Sequence, residues 1–94
     1  MWLSKITYDL VTARENLPVF LNIVRPPIYA NRIELQAKYG GGDGVTINWD
    51  EVIDSDIPAV IGIRSWPTES AAQEHVDFAV FQADYITGTV EEQV

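Results

Sequence analysis

The stretch "PIYANRIELQAKYGGGDGVTINW", residues 27–49, admits two readings, and the fold class turns on the choice between them. With a period of two, Ile33, Leu35, Ala37 and Tyr39 alternate with polar residues and Val45, Ile47 and Trp49 do the same. GGGDG at 40–44 then joins two strands whose seven apolar side chains share one face. With a helical period, Pro26 or Pro27 opens a helix that Gly40 ends, although its apolar residues scatter around the axis. The local pattern favours the hairpin, while the flanking chain favours the helix. Strand 18–24, helix 27–39, strand 44–49, strand 58–64, helix 67–82 and strand 84–90 make the βαββαβ order of a ferredoxin-like antiparallel sheet. The expectation is therefore an α+β, ferredoxin-like domain with residues 2–11 as an added N-terminal strand. The alternative is an antiparallel meander with one C-terminal helix.

The last third of the chain is the plainest part. "IPAVIGIR" (57–64) is β-branched and too short for a helix, "PTESAAQEHVDFAVFQ" (67–82) carries helix formers with Glu69 at its start, and "DYITGTV" (84–90) is β-rich again. Projected at 100° per residue, Ala71, Ala72, Val76, Phe78, Ala79 and Val80 share an arc that also contains His75, and Phe81 falls outside it. Alternation along 59–64 points Ala59, Ile61 and Ile63 one way and Val60, Gly62 and Arg64 the other. "VFLNIV" (19–24) is apolar on both faces too. One or two helices cover one sheet face, so the second face calls for another cover, most simply a second copy of the same sheet. The expectation is a homo-oligomer, a dimer before anything larger.

Ninety-four residues, 47% of them hydrophobic, make a single domain spanning 1–94. The absence of cysteine removes disulfides, thiolate nucleophiles and cysteine-type zinc sites. No basic leader followed by an apolar run stands at the N-terminus, and no apolar run approaches about 18 residues, which sets a cytoplasmic, soluble protein as the expectation. A net charge of −8 argues against nucleic acid and anionic membrane as partners, since both require a basic footprint. The charge is unevenly spread: residues 1–42 carry a net +2 and residues 43–94 a net −10, with Arg64 the single base of the second part.

"RSWPTESAAQEH" (64–75) gathers the residue types that could carry chemistry. His75, held neutral among apolar neighbours, suits proton relay or ligation, or simply a packed histidine bonded through one nitrogen. Trp66 suits the wall of a pocket or an edge of the core. Arg64 suits a carboxylate ligand or an ion pair with Glu69 or Glu74. The run Ile57 to Val90 resembles the second half of small dimeric α+β barrel proteins, the group that includes antibiotic-biosynthesis-type monooxygenases and haem-degrading enzymes. In the haem-degrading members an asparagine on the first strand, a tryptophan ending the third strand and a histidine on the next helix act together at the haem. The resemblance thus implies Asn22, Trp66 and His75 for those places, and haem as a cofactor only under that reading.

Other motifs carry less. Aligning Gly44 with the glycine of a calcium loop puts Tyr39 and Gly41 where oxygen ligands are needed, and GGGDG lacks the lysine of a phosphate loop and reads as a flexible connector. Asp50, Glu51, Asp54 and Asp56 read as a solvated acidic loop, so no metal is expected. With no nucleophile elbow near His75, hydrolase chemistry has little support. The leading expectation is a non-catalytic accessory or interaction module without a cofactor. Its alternative is an enzyme of the dimeric α+β barrel kind with a pocket near Asn22, Arg64, Trp66 and His75.

Overall fold

A computed structural model describes residues 1–93. Strand β1 (Trp2–Asp9) leads into helix α1 (Leu10–Glu15), a short helix α2 (Leu17–Val19), a π-helical turn (Phe20–Val24) and the long helix α3 (Arg25–Tyr39). Strand β2 (Asp43–Gly44), helix α4 (Trp49–Asp54), strand β3 (Ala59–Trp66), helix α5 (Glu69–Gln82) and strand β4 (Ile86–Glu92) follow. The four strands form one antiparallel sheet in the order β2-β3-β1-β4. The protein is therefore α+β, and none of its helices among the described residues is long and apolar enough to cross a membrane.

β1 is one of the two inner strands, not an added one, because it pairs with β3 on one side and β4 on the other. Its composition fits that place: Ser4, Ile6 and Tyr8 alternate inward and are buried, between half-buried Leu3, Lys5 and Thr7. Asp9 ends the strand and caps α1, its carboxylate accepting from the Val11 and Thr12 amides at 3.0 and 3.3 Å and from the Thr12 hydroxyl at 2.8 Å.

Residues 18–24 are helical, which overturns the strand expected there. Pro18 sits in the first turn of α2, and Phe20, Val24 and Ile28, spaced four apart, all point into the core. The π turn has a local cause. Pro26 and Pro27 have no N–H to return to the carbonyls of Asn22 and Ile23, and their rings press on the preceding turn. The backbone widens, and Arg25 N–H bonds to Phe20 O five residues back.

The hairpin reading of 27–49, and with it the meander alternative, fails at α3. Only Ile28 and Leu35 of that helix are buried, while Tyr29 and Ile33 lie exposed, which is why the apolar residues scatter. The expected strand 44–49 survives only as β2. Val45 is 85% exposed, and Asn48 instead caps α4, its side chain accepting from Glu51 N–H at 3.2 Å. The glycine run is a packed turn rather than a flexible connector. Gly41 and Gly42 have φ of 71° and 74°, and a Cβ on Gly42 would lie 2.5 Å from Gln36 Cγ. Gly42 N–H also bonds to Ser65 O at 2.7 Å, tying the turn to β3.

The core lies between the helices and one face of the sheet. Ile6, Tyr8, Leu10, Phe20, Val24, Ile28, Val76, Ala79 and Ile86 form its larger part, and Leu35, Trp66, Ala71 and Ala72 a second cluster. α5 begins at Glu69, two residues after Pro67, because Thr68 caps it by accepting from Ala71 N–H at 3.2 Å. Among the described residues the opposite sheet face carries no helix, and there Ile61 and Ile63 are 54% and 43% exposed.

Candidate functional site

A cavity of about 70 Å³ lies between α3 and the helix-facing side of the sheet, beneath the segment that follows β2. α3 contributes Arg25, Ile28, Tyr29 and Arg32, whose i, i+3, i+4, i+7 spacing puts them on one helical stripe. β1 contributes Ile6 and Tyr8, and β3 contributes Gly62 and Arg64, alternate residues facing the same way. Val45, Thr46, Ile47 and Trp49 cover it, and His75 closes it from α5. Gly62 opens the floor: it pairs with Ile6, and a Cβ there would reach Ile47 Cδ1 at 3.4 Å. The Trp49 ring is held edge-on by Tyr8 at 4.9 Å and Phe20 at 5.2 Å, fixing the cover to the core.

The electrostatics of the lining are one-sided. Arg64 reaches Gly42 O at 2.9 Å and Thr46 Oγ1 at 3.3 Å, and pairs with neither Glu69 nor Glu74. Burial, then the charge of Arg32, pulls its guanidinium below its ordinary value, against the opposing pull of Asp43, Tyr8 and Tyr29. The Arg32 guanidinium lies 4.8 Å above the Tyr29 ring and bonds to Gln36 Oε1 at 3.3 Å. Burial pushes the Tyr8 phenol up to about 12, against the pull of Arg25 and Arg64, so it stays a donor. His75 is lowered to about 4, first by burial and then by Arg64 and Arg32. The imidazole is therefore neutral at pH 7. Its Nδ1 lies 2.8 Å from Asn31 Oδ1, an amide oxygen that requires the proton on Nδ1 and leaves the lone pair on Nε2.

Arg64 and His75 thus meet at this cavity, whereas Asn22 and Trp66 do not. Asn22 is exposed on the π-helical turn, away from the lining. Trp66 is fully buried in the second core cluster, donating its indole N–H to Ser4 Oγ at 2.9 Å, with its ring 5.5 Å from that of His75. The three residues that the family resemblance implies at a haem are not brought together. The cavity, at about 70 Å³, also has room for only about two or three waters, too small for a macrocycle. The chain's residues do not fit that cofactor. Among the described residues no group of three histidine or carboxylate side chains is placed to hold a metal ion.

Tyr8, Arg25 and Arg32 are site residues that the sequence reading missed. The signal for the last two was the 25, 28, 29, 32 stripe, visible only once residues 25–39 are taken as a helix. Comparison with family models, with curated proteins and with solved structures finds no match to this chain.

Proposed function

We propose that this protein is a non-catalytic interaction module of ferredoxin-like topology that pairs with a second copy of itself through the open face of its sheet. The topology rests on β1, the helical segment 10–39, β2, β3, α5 and β4 occurring in the order βαββαβ, with α4 inserted between β2 and β3, and on the sheet order β2-β3-β1-β4. Residues 2–9 take the place of the first strand in that pattern. The absence of cysteine suits a reducing, cytoplasmic setting.

One observation carries the assembly: Ile61 and Ile63, adjacent on one face of β3, stand 54% and 43% exposed on the sheet side that no helix covers. β-branched side chains at successive same-face positions are what a strand packed on another surface uses. The face has few charges to desolvate. Leu3, Thr7, Thr87 and Thr89 share it, and its Lys5 is already paired with Glu91. A second copy meets that face with the same apolar centre and polar rim, as two-fold pairing requires.

Light scattering on a sizing column is expected to give twice the 10.5 kDa chain mass, and Ile61→Glu to give a folded monomer with an unchanged far-ultraviolet circular dichroism spectrum. A wild-type monomer at tens of micromolar, or an Ile61→Glu dimer, overturns the proposal.

A further inference from the structure

We propose that the cavity under α3 is an anion site for a small carboxylate with a short apolar body, held by Arg25, Arg32 and Arg64. It lies on the helix side of the sheet, opposite Ile61 and Ile63, and so stands or falls separately from self-association.

The chain has six cationic side chains against fourteen carboxylates, so each cation has ample choice of partner. Three are accounted for elsewhere. Lys5 pairs with Glu91, Lys38 lies 4.0 Å from Glu74, and Arg14 donates to the carbonyls of Val52, Ile53, Ser55 and Ile57. The other three all line one cavity, and none of them has a carboxylate within 4.0 Å among the described residues. No aspartate or glutamate lines that cavity among the described residues either, although Asp43 acts on Arg64 from farther away.

Gathering three like charges around a partly desolvated space costs stability unless something negative enters. Arg25 makes the deficit explicit, because its Nε is buried without a hydrogen-bond partner. The protein offers that guanidinium no acceptor of its own at Nε, and a carboxylate in the cavity offers the rest of the group acceptors in the planar geometry that a guanidinium matches.

The remaining lining selects the body of the ligand. Ile6, Ile28 and Ile47 with the Trp49 ring form an apolar patch beside the arginines. A compact hydrated anion such as phosphate leaves that patch unfilled, whereas a short carboxylic acid covers it while its head meets the guanidinium groups. The volume, room for about two or three waters, sets the size at a few carbons.

The test is a calorimetric titration of the intact protein with straight-chain carboxylates from acetate to hexanoate, the matching primary amides and inorganic phosphate. Two-dimensional NMR of the Trp49 indole and Arg25 Nε–H resonances locates the binding. Carboxylates are expected to saturate one site per chain, to tighten with chain length until the cavity is full, and to bind at least about tenfold better than their amides, since only the acid brings a charge to the guanidinium groups. Arg25→Gln should weaken binding about tenfold or more without lowering the melting temperature, because it removes a repelling charge with no partner to lose. Gly62→Val keeps all three arginines but fills the floor, and should also abolish binding. Amides binding as well as acids, phosphate binding better than any carboxylate, full binding by folded Gly62→Val, or no saturable carboxylate binding each overturn the proposal.

Discussion

Burial, reinforced by Arg64 and Arg32, holds His75 neutral down to about pH 4, and this makes the stability of the fold depend on acid in a defined window. The unfolded chain takes up a proton near pH 6.5 that the folded protein declines until about pH 4. The contribution is fully present above 6.5 and is lost as pH falls between the two values. Its size is about 3 kcal/mol at the lower end of the window. The Asp9 carboxyl, lowered first by its bond from the Thr12 hydroxyl, acts below 3.8 and so outside that window. Denaturant unfolding of wild type and His75→Gln, measured from pH 7 to 4, should show the wild type losing about 3 kcal/mol more than the variant; parallel profiles would count against the neutral, desolvated imidazole. The sequence foretold this much of the site: a lone histidine in an apolar helical arc, with one arginine on the strand before it. Tyr8, Arg25 and Arg32 were not legible, because residue type alone sends a cation to solvent, and only the closure of α3 over β1 and β3 turns these side chains inward.

At the scale of elements, the segment following α1 separates two kinds of information. "VFLNIV" is apolar on both faces of a strand and also at a helical spacing, so neither period excludes the other, and β-propensity tips the reading toward a strand. Tertiary packing decides for the helix. Phe20 is fully buried, its ring edge-on to Trp49 at 5.2 Å and near Tyr8 and Tyr85 at 6.2 Å each, while Ile23 is left exposed. Strand alternation would bury Asn22 together with Phe20 and Val24, and Asn22 is exposed. Phe20→Ala should cost about 3–5 kcal/mol of unfolding free energy, the range for emptying a core phenylalanine, and Ile23→Ala no more than about 0.5 kcal/mol. A comparable loss at both positions would contradict the burial of Phe20 with Ile23 left in solvent. The C-terminal strand, helix and strand were read from sequence within two residues, since Pro67, Thr68 and Glu69 mark the helix start chemically. The middle was not, because α4 depends on the Asn48 cap and on an aromatic trio contributed from three separate places in the chain.

For the whole molecule, the uneven charge along the sequence does not become two charged halves in space. β1, from the cationic part, lies between β3 and β4 of the acidic part, and Arg25 and Arg32 share one cavity with Arg64. In the proposed dimer, the mutual repulsion of chains carrying −8 each is set against apolar contact between the open sheet faces. These two forces respond differently to salt. Screening shortens the reach of the repulsion from about 30 Å at 0.01 M to about 8 Å at 0.15 M, and it leaves the burial of Ile61 and Ile63 unaffected. The dimer fraction measured by sedimentation velocity should therefore rise as sodium chloride is raised over that range. Association held by salt bridges would fall instead, and a falling curve would remove the sheet face as the contact. Ile61→Glu adds a charge to the centre of that face, so its monomer should resist the salt that promotes the wild-type dimer.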